Sequence, residues 1–87
     1  MPRLVLVRRA RLEVLELSWS LGEAVNNSLG VLEREPLAGK PLRGNLRGLY
    51  SWRVGAYRIL YQLLDGGKTI RVIAVRHRSV AYSKDPR

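Results

Sequence analysis

Hydrophobic residues along the chain follow two periods, helical in the first half and strand-like in the second. A short apolar run at residues 4–7 predicts a first strand. Two stretches with helical spacing follow, over residues 9–21 and 22–35; Gly22 separates them, and Pro36, which cannot continue a helix, ends the second. Their apolar positions are Ala10, Val14, Leu17, Leu21, Val25, Leu29 and Leu32. The first half therefore predicts a strand and a helical hairpin with one apolar stripe.

The second half alternates with the period of two that is typical of strands. After a loop at residues 36–48, the segments LYSWRV, YRILYQLL and TIRVIAVRH are separated by glycine-containing breaks at residues 55–56 and 65–68. Such breaks are typical of hairpin turns. The order β-α-α-β-β-β predicts an α+β fold, a single domain over residues 1–87. In it the N-terminal strand and helical hairpin pack on one face of a small antiparallel sheet.

The two turns predict which side chains share a face of the sheet. If residues 55 and 56 form a two-residue loop, Arg53 lies directly across from Arg58. The core face then carries Tyr50, Trp52, Val54, Tyr57, Ile59, Tyr61, Leu63, Ile70, Val72 and Ala74, with Ile59 paired to Ala74. The other face carries Ser51, Arg53, Arg58, Leu60 and Gln62, with Val75 across from Arg58, Arg71 across from Gln62, and His77 near the strand end.

Positive charge is concentrated in the half that forms the predicted meander. Residues 1–39 hold five basic and five acidic residues, whereas residues 40–87 hold eleven basic and two acidic ones. This asymmetry indicates a nucleic-acid partner; the alternative is a basic surface that serves only solubility. The chain has no cysteine, which excludes disulfides and thiolate metal sites. Because the apolar run at residues 4–7 is too short for a signal peptide or a membrane span, we expect a cytoplasmic protein.

The facing pair Arg53 and Arg58 is the strongest local indication of a binding site. Like charges directly opposite each other on a sheet are destabilising, and a bound phosphate would remove the repulsion. The alternative is that the two side chains splay apart into solvent. His77 and Arg78 arrive at the same end of the sheet, and a short turn would bring Tyr82 back beside Arg78. Surrounding cations favour the phenolate of such a tyrosine, which makes it a candidate general base, although a C-terminal tyrosine alone is more often a packing residue.

The same residues carry a family resemblance. The segments KPLRGNLRGLYSWRVGAYRILYQ and IRVIAVRHRSVAY resemble the RelE/ParE superfamily of bacterial and archaeal type II toxins, over nearly the whole chain. The resemblance implies a RelE-like toxin: a ribosome-dependent endoribonuclease that cleaves mRNA and is silenced by an antitoxin encoded beside it. It also implies catalytic roles for Arg53, Arg58, Arg78 and Tyr82. Many members have a basic residue where this chain has Ser51, and Arg76 and His77 are the residues that we expect to compensate.

The chemistry that this cluster supports is attack of the RNA 2′-hydroxyl on the adjacent phosphorus. The reaction needs a base for the hydroxyl proton, cations for the charge that develops on the phosphate, and an acid for the leaving 5′-oxygen. We assign Tyr82 as the base and Arg58 to the developing charge. Arg53 or Arg78 would hold the phosphate or assist the leaving oxygen.

Other kinds of nuclease fit the sequence less well. A nuclease with two catalytic histidines is excluded, because His77 is the only histidine. Asp65 and Asp85 are the only acids in the basic half and neither lies on the arginine face, so we expect neither a metal nor another cofactor. The further RNA-binding residues that we predict are Lys40, Arg43, Arg47, Ser51, Arg71, Arg76 and His77.

Two other functions stay open at this point. A ParE-type toxin would poison DNA gyrase by binding, without catalysis, and an inactive RNA-binding module would show only salt-sensitive affinity. The partners that we expect are the ribosome, mRNA and an antitoxin whose acidic, disordered tail folds onto the toxin. Leu15, Trp19 and Val31 lie off the main helical stripe; they either receive this segment or, as we favour, complete the core.

Overall fold

Two helices lie on one face of a five-stranded sheet in the computed structural model, which describes residues 2–87. The elements are β1 (Arg3–Leu6), α1 (Arg8–Leu15), α2 (Trp19–Arg34), β2 (Lys40–Pro41), β3 (Tyr50–Val54), β4 (Tyr57–Leu64) and β5 (Thr69–His77). The strand order is β1-β5-β4-β3-β2, with β1 parallel to β5 and the other neighbours antiparallel. The predicted α+β fold is confirmed. The N-terminal strand was predicted to pack on a face of an antiparallel sheet with the helices; instead β1 is an edge strand parallel to β5, which makes the sheet mixed, and β2 adds a short antiparallel strand at the other edge.

The two helices are separated at Ser18 and not at Gly22. Ser18 is the N-cap of α2, and its side chain accepts a hydrogen bond from the Leu21 amide at 3.4 Å. Serine is common at N-caps because its side-chain oxygen accepts a hydrogen bond from a first-turn amide that has no partner within the helix. Gly22 lies inside α2, where glycine costs only about 1 kcal/mol relative to alanine. The predicted boundary at Gly22 was therefore wrong, while the predicted end before Pro36 is confirmed. None of the helices in residues 2–87 has the length and apolar character needed to cross a membrane.

The larger hydrophobic core lies between the helices and the sheet. Its buried members are Ala10, Val25, Leu29, Leu32, Val54, Ile59, Tyr61, Ile70, Val72 and Val75. They are residues of the predicted helical stripe and of the predicted core face, except that Val75 replaces Ala74. Full burial of a valine, leucine or isoleucine side chain contributes about 1.5–3 kcal/mol to the stability of the fold, so this stripe holds the helices on the sheet.

Leu15 and Trp19 do not complete this core, contrary to the prediction. Their side chains are 73% and 81% exposed. They lie where α1 ends and α2 begins, and they line an apolar groove of about 300 Å³. Val31, in the middle of α2, is half-buried. The groove is therefore an apolar surface that the fold leaves uncovered.

The first hairpin has the predicted register, and the second departs from it halfway. Arg53 lies across from Arg58, as predicted. In the second hairpin Ile73 has no partner on β4, a bulge that shifts the rest of β5 by one residue. The pairs beyond the bulge are Leu60 with Ala74, Ile59 with Val75, Arg58 with Arg76, and Tyr57 with His77. The predicted pairs of Ile59 with Ala74 and of Arg58 with Val75 were therefore wrong.

The bulge also moves His77 away from the arginine pair. A shift of one residue exchanges the two faces of a strand, and His77 lies on the helix-bearing side with Val75. Its ring packs edge-on against Tyr57, with the ring centroids 5.5 Å apart, and its Nδ1 is 2.9 Å from the Ser79 hydroxyl. The predicted position of His77 on the arginine face was wrong, because the alternation of the strand is interrupted at Ile73.

A second, smaller core covers part of the face that carries no helix. Leu46, Leu49 and Ile73 are buried together, with Val7 and Leu42 packed around them. The connector between β2 and β3 therefore folds back over the sheet. The remainder of this face, beside β2, β3 and β4, carries the arginine pair.

Candidate active site

A pocket of about 410 Å³ opens on the face that carries the arginine pair. Lys40 from β2, Ser51 and Arg53 from β3, Arg58 from β4, and Tyr82 from the turn after β5 line it. Its volume is in the range of small-ligand sites. Ser51 and Arg53 are two residues apart and share a face of β3. Lys40 on β2 lies across from Ser51, and Arg58 on β4 lies across from Arg53. Strand register alone thus brings four of the five lining residues together.

Tyr82 reaches the pocket because the chain turns back after β5. The Arg78 amide donates a hydrogen bond to the Ala56 carbonyl at 2.7 Å, which fastens the start of the turn to the first hairpin. Ala81 is fully buried. The hydroxyl of the next residue, Tyr82, lies 2.8 Å from the Ser51 hydroxyl on β3. The turn that was predicted to bring Tyr82 back does so, and the contact that it makes is with Ser51.

Ser51, which was predicted to bind RNA, is the hydrogen-bond partner of Tyr82, a contact that reasoning from the sequence missed. Its side chain is 7% exposed, and either it or the Tyr82 hydroxyl can be the donor of the hydrogen bond between them. From the sequence alone, Ser51 is notable only because many family members have a basic residue at this position. In the structure it holds the oxygen of Tyr82, which is itself 45% exposed and so stays accessible from the pocket.

The cations of the pocket have no acidic partner in the described part of the chain. The ion pairs within residues 2–87 involve other arginines, and no carboxylate oxygen lies within 4.0 Å of the charged groups of Lys40, Arg53 or Arg58. The Arg58 Nη1 donates to the Tyr57 carbonyl at 3.0 Å and to the Gly55 carbonyl at 3.4 Å. These neutral acceptors orient the guanidinium without cancelling its charge, so the pocket suits an anion.

Arg76, His77 and Arg78 lie outside this pocket. The Arg76 Nε is 3.5 Å from the carboxylate of Glu13 on α1, and the same carboxylate accepts a hydrogen bond from the Val75 amide at 2.9 Å. Glu13 therefore engages Arg76 and caps the edge of β5. Arg78 is exposed and does not line the pocket. Neither Arg76 nor His77 supplies a cation beside Ser51, contrary to our expectation.

The other predicted RNA-binding arginines are spread over the surface. Arg43 follows β2 and lines a shallow depression next to the pocket, together with Lys40. Arg47 ends the turn before β3 and is exposed. Arg71, on β5, donates to the Gln62 side chain at 3.1 Å. The structure thus does not gather these three arginines into one site.

Tyr61 fixes the connector that leads into β2 and Lys40. Its hydroxyl donates to the Pro36 carbonyl at 2.8 Å and accepts from the Gly39 amide at 3.0 Å. Burial raises the pKa of the Tyr61 hydroxyl, although the bond from Gly39 acts in the opposite direction. A side chain at position 39 would overlap the Tyr61 hydroxyl, so this close approach requires glycine. Tyr61 is therefore a neutral, buried anchor for the strand that carries Lys40.

The C-terminal residues are fastened to the connector before β3. The Arg87 guanidinium donates to the carbonyls of Arg47 at 2.8 Å and Asn45 at 2.9 Å. Asp85 pairs with the same guanidinium at 2.8 Å, and hydrogen bonds from Arg87 lower the pKa of Asp85. This latch holds the segment that follows Tyr82 against the sheet.

Comparisons with known proteins agree with the fold and with the motifs. The matching family model is that of the ParE toxin of the type II toxin-antitoxin system parDE, and it covers residues 19–82. Toxin RelG of Mycobacterium tuberculosis is 43% identical over 65 residues, which are 74% of this chain and 75% of that toxin. In the crystal structure of the RelBE2 toxin-antitoxin complex from the same organism, the matching chain is 38% identical, with a TM-score of 0.80 and coverage of 90% of this chain and 100% of that chain. A mutant of the E. coli toxin RelE in the free state is 25% identical, with a TM-score of 0.79 and coverage of 97% and 93%. The chain therefore belongs to the RelE/ParE superfamily of type II toxins.

Proposed function

We propose that this toxin is a ribosome-dependent endoribonuclease that cleaves mRNA. The observation that supports this most strongly is the meeting of the Tyr82 phenol with Arg53 and Arg58 in one pocket whose cations have no carboxylate partner in residues 2–87. Such a pocket offers a proton acceptor beside positive charge, which is what RNA cleavage through the 2′-hydroxyl requires. The similarity to toxins named RelG and RelE supports the same activity.

Tyr82 acts as the general base in this proposal. The 2′-oxygen of the RNA forms a bond to phosphorus while its proton passes to the Tyr82 oxygen, and the bond from phosphorus to the 5′-oxygen breaks. The leaving 5′-oxygen takes a proton from water, and Tyr82 returns its proton to the solvent. The products are a 2′,3′-cyclic phosphate and a 5′-hydroxyl. Because the Ser51 hydroxyl can donate or accept, it keeps Tyr82 in place in either protonation state. No step requires a metal or another cofactor.

The arginines stabilise the phosphate as its charge increases. Arg58, oriented by two backbone carbonyls, faces the developing charge, and Arg53 across from it holds the phosphate. We assign Arg78, an exposed residue of the turn that also carries Tyr82, to the phosphate or to the leaving 5′-oxygen. The exposed Arg43, Arg47 and Arg71 contact the RNA outside the pocket.

The partners that we propose are the ribosome and an antitoxin. A net charge of +9 suits both ribosomal RNA and an acidic protein segment. Solved RelBE complexes contain a toxin bound to its antitoxin. The exposed Leu15 and Trp19 provide an apolar contact for such a segment. Action on translating ribosomes would place the toxin in the cytoplasm.

The test is to incubate the protein with translating ribosomes and a defined mRNA, and to map the RNA ends. We expect cleavage by the wild type and a loss of about 100-fold or more in Tyr82→Phe and in Arg58→Ala, the usual effect of removing a general base or a charge-stabilising group. The exposed lysine of the β4–β5 turn provides a matched control, Lys68→Gln, which should cleave normally. Gyrase-dependent DNA breaks with intact mRNA would instead indicate a ParE-type toxin. Full toxicity of Tyr82→Phe in cells without cleaved mRNA would indicate a module that only binds RNA.

A further inference from the structure

Lys40 lies directly opposite Ser51 at the edge of the sheet. The two residues are partners in the β2–β3 ladder. Directly opposite residues share a face, with Cβ atoms about 4.5–5.5 Å apart. The side chain of Lys40 lines the same pocket as Tyr82. The stem of the lysine therefore begins beside the serine that holds the candidate general base.

The Ser51–Tyr82 pair has arginine on one side only. Arg53 lies two residues further along β3, with Arg58 across from it. Ser51 is uncharged, and its hydroxyl is engaged by Tyr82 at 2.8 Å. Among the five residues that line the pocket, Lys40 is the one whose register supplies positive charge at the end opposite the arginine pair.

Two structural roles explain the position of Lys40 less well. The first is an ion pair, yet no carboxylate oxygen of residues 2–87 lies within 4.0 Å of its ammonium. The second is protection of the edge strand, since lysines at sheet edges prevent further strand pairing. β2 contains only two residues, one of them Pro41, so the edge is already too short and too poor in amide donors to need this protection.

We propose that Lys40 binds an RNA phosphate in the pocket and supplies, beside Tyr82, the positive charge that Ser51 does not. Its effect on cleavage rests on the proposed ribonuclease function, while its binding role does not. A compact ammonium with three donors suits a single phosphate oxygen approached from the edge of the sheet. Tyr61 keeps the lysine in place, because it anchors the adjacent Gly39.

The binding role is tested with a single-stranded RNA oligonucleotide whose 2′-hydroxyls are methylated, so that it cannot be cleaved. Affinity is measured for the wild type, Lys40→Gln and Lys68→Gln over a range of salt concentrations. The plot of log K against log salt has a negative slope, and loss of one phosphate contact makes that slope less steep by about 0.7 for single strands. We expect this change in Lys40→Gln and no change in Lys68→Gln. Equal slopes for the wild type and Lys40→Gln would overturn the proposal, whether or not the protein cleaves RNA.

The catalytic consequence is tested in the ribosome assay. We expect Lys40→Gln to cleave about 10- to 100-fold more slowly than the wild type, the range for loss of one charged hydrogen bond, and Lys40→Arg to restore most of the rate. If Lys40→Gln cleaves normally while Tyr82→Phe is inactive, the Lys40 proposal fails and the ribonuclease function stands. If the wild type itself does not cleave, the ribonuclease function fails, and the salt slopes alone decide the role of Lys40.

Discussion

Replacement of Tyr61 by phenylalanine removes one oxygen that organises the edge of the pocket. The Tyr61 hydroxyl links the Pro36 carbonyl and the Gly39 amide, both in the connector between α2 and β2. The ring itself is fully buried in the main core and stacks on Tyr50, with the ring centroids 5.3 Å apart. Tyr61→Phe keeps that packing, so its effect isolates the two hydrogen bonds.

The size of the effect follows from the two groups that lose their partner. The buried Gly39 amide is left without an acceptor, which costs about 1–3 kcal/mol. The Pro36 carbonyl is partly buried and recovers water, so its loss is nearer the net value of about 1 kcal/mol for one hydrogen bond. We therefore expect the free energy of unfolding to fall by about 3 kcal/mol and Tm to fall by about 12–24 °C.

The same substitution changes the pH dependence of stability. Burial raises the pKa of Tyr61 above its ordinary value of 10.0, so the folded protein holds this proton more tightly than the unfolded chain. The resulting stabilisation is complete below the unfolded pKa and is lost as the pH rises through the folded pKa. We expect the free energy of unfolding of the wild type to decline more steeply above pH 10 than that of Tyr61→Phe.

The assay is urea denaturation followed by circular dichroism from neutral to alkaline pH. Tyr57→Phe is the matched control, because the Tyr57 hydroxyl makes no hydrogen bond to another group in residues 2–87, and its stability should change little. Equal stability of Tyr61→Phe and the wild type at pH 7, or a parallel loss of stability in the two proteins above pH 10, would contradict this role of the Tyr61 hydroxyl.

Further substitutions test the site, the latch, the core and the uncovered apolar groove. Ser51→Ala should slow cleavage about tenfold and leave RNA affinity unchanged, because only the hold on Tyr82 is lost; equal rates in single-turnover kinetics would contradict this. Arg87→Ala should speed amide hydrogen exchange over residues 44–48, and unchanged protection there would argue against the latch. Leu32→Ala, at a fully buried position, should lower the free energy of unfolding by about 2–5 kcal/mol in the same urea assay. Trp19→Ser should leave the free energy of unfolding within about 0.5 kcal/mol of the wild type yet weaken binding of the proposed antitoxin; undiminished binding would exclude the groove as its contact.

Features set by local chemistry could be predicted from the sequence. The turn at Gly55 fixed the register of the first hairpin, and with it the placement of Arg53 opposite Arg58. Gly55 adopts a φ of +57°, which favours glycine and matches the strong turn signal at this position. The buried face of the helices could also be predicted, because apolar residues at helical spacing lie on the side that packs against the sheet.

Features that depend on contacts between distant residues could not be predicted. Ile73 forms the bulge within a run of four apolar residues, 72–75, and it packs against Leu46 and Leu49, which are far away in sequence. The bulge exchanges the faces of the later residues in β5, and so sets the position of His77. An apolar run suits both faces of the sheet, so the pattern of the strand does not show at which residue the alternation breaks.

The site itself was predictable in part for the same reason. Arg53 and Arg58 are joined by a local turn, whereas Ser51 and Tyr82 are 31 residues apart and meet only because the chain folds back after β5. Lys40 belongs to a strand of two residues, too short to leave a pattern. The contact of Ser51 with Tyr82 and the position of Lys40 beside it could therefore be found only from the structure.

The most direct test of the account is the fate of an mRNA that carries a single 2′-deoxynucleotide at the position cleaved on translating ribosomes. If Tyr82 and the neighbouring cations act through the RNA 2′-hydroxyl, the unmodified message yields a 2′,3′-cyclic phosphate and a 5′-hydroxyl, and the modified message stays intact at that position. Cleavage of the deoxy-substituted message, or products that end in a 5′-phosphate, would contradict the account.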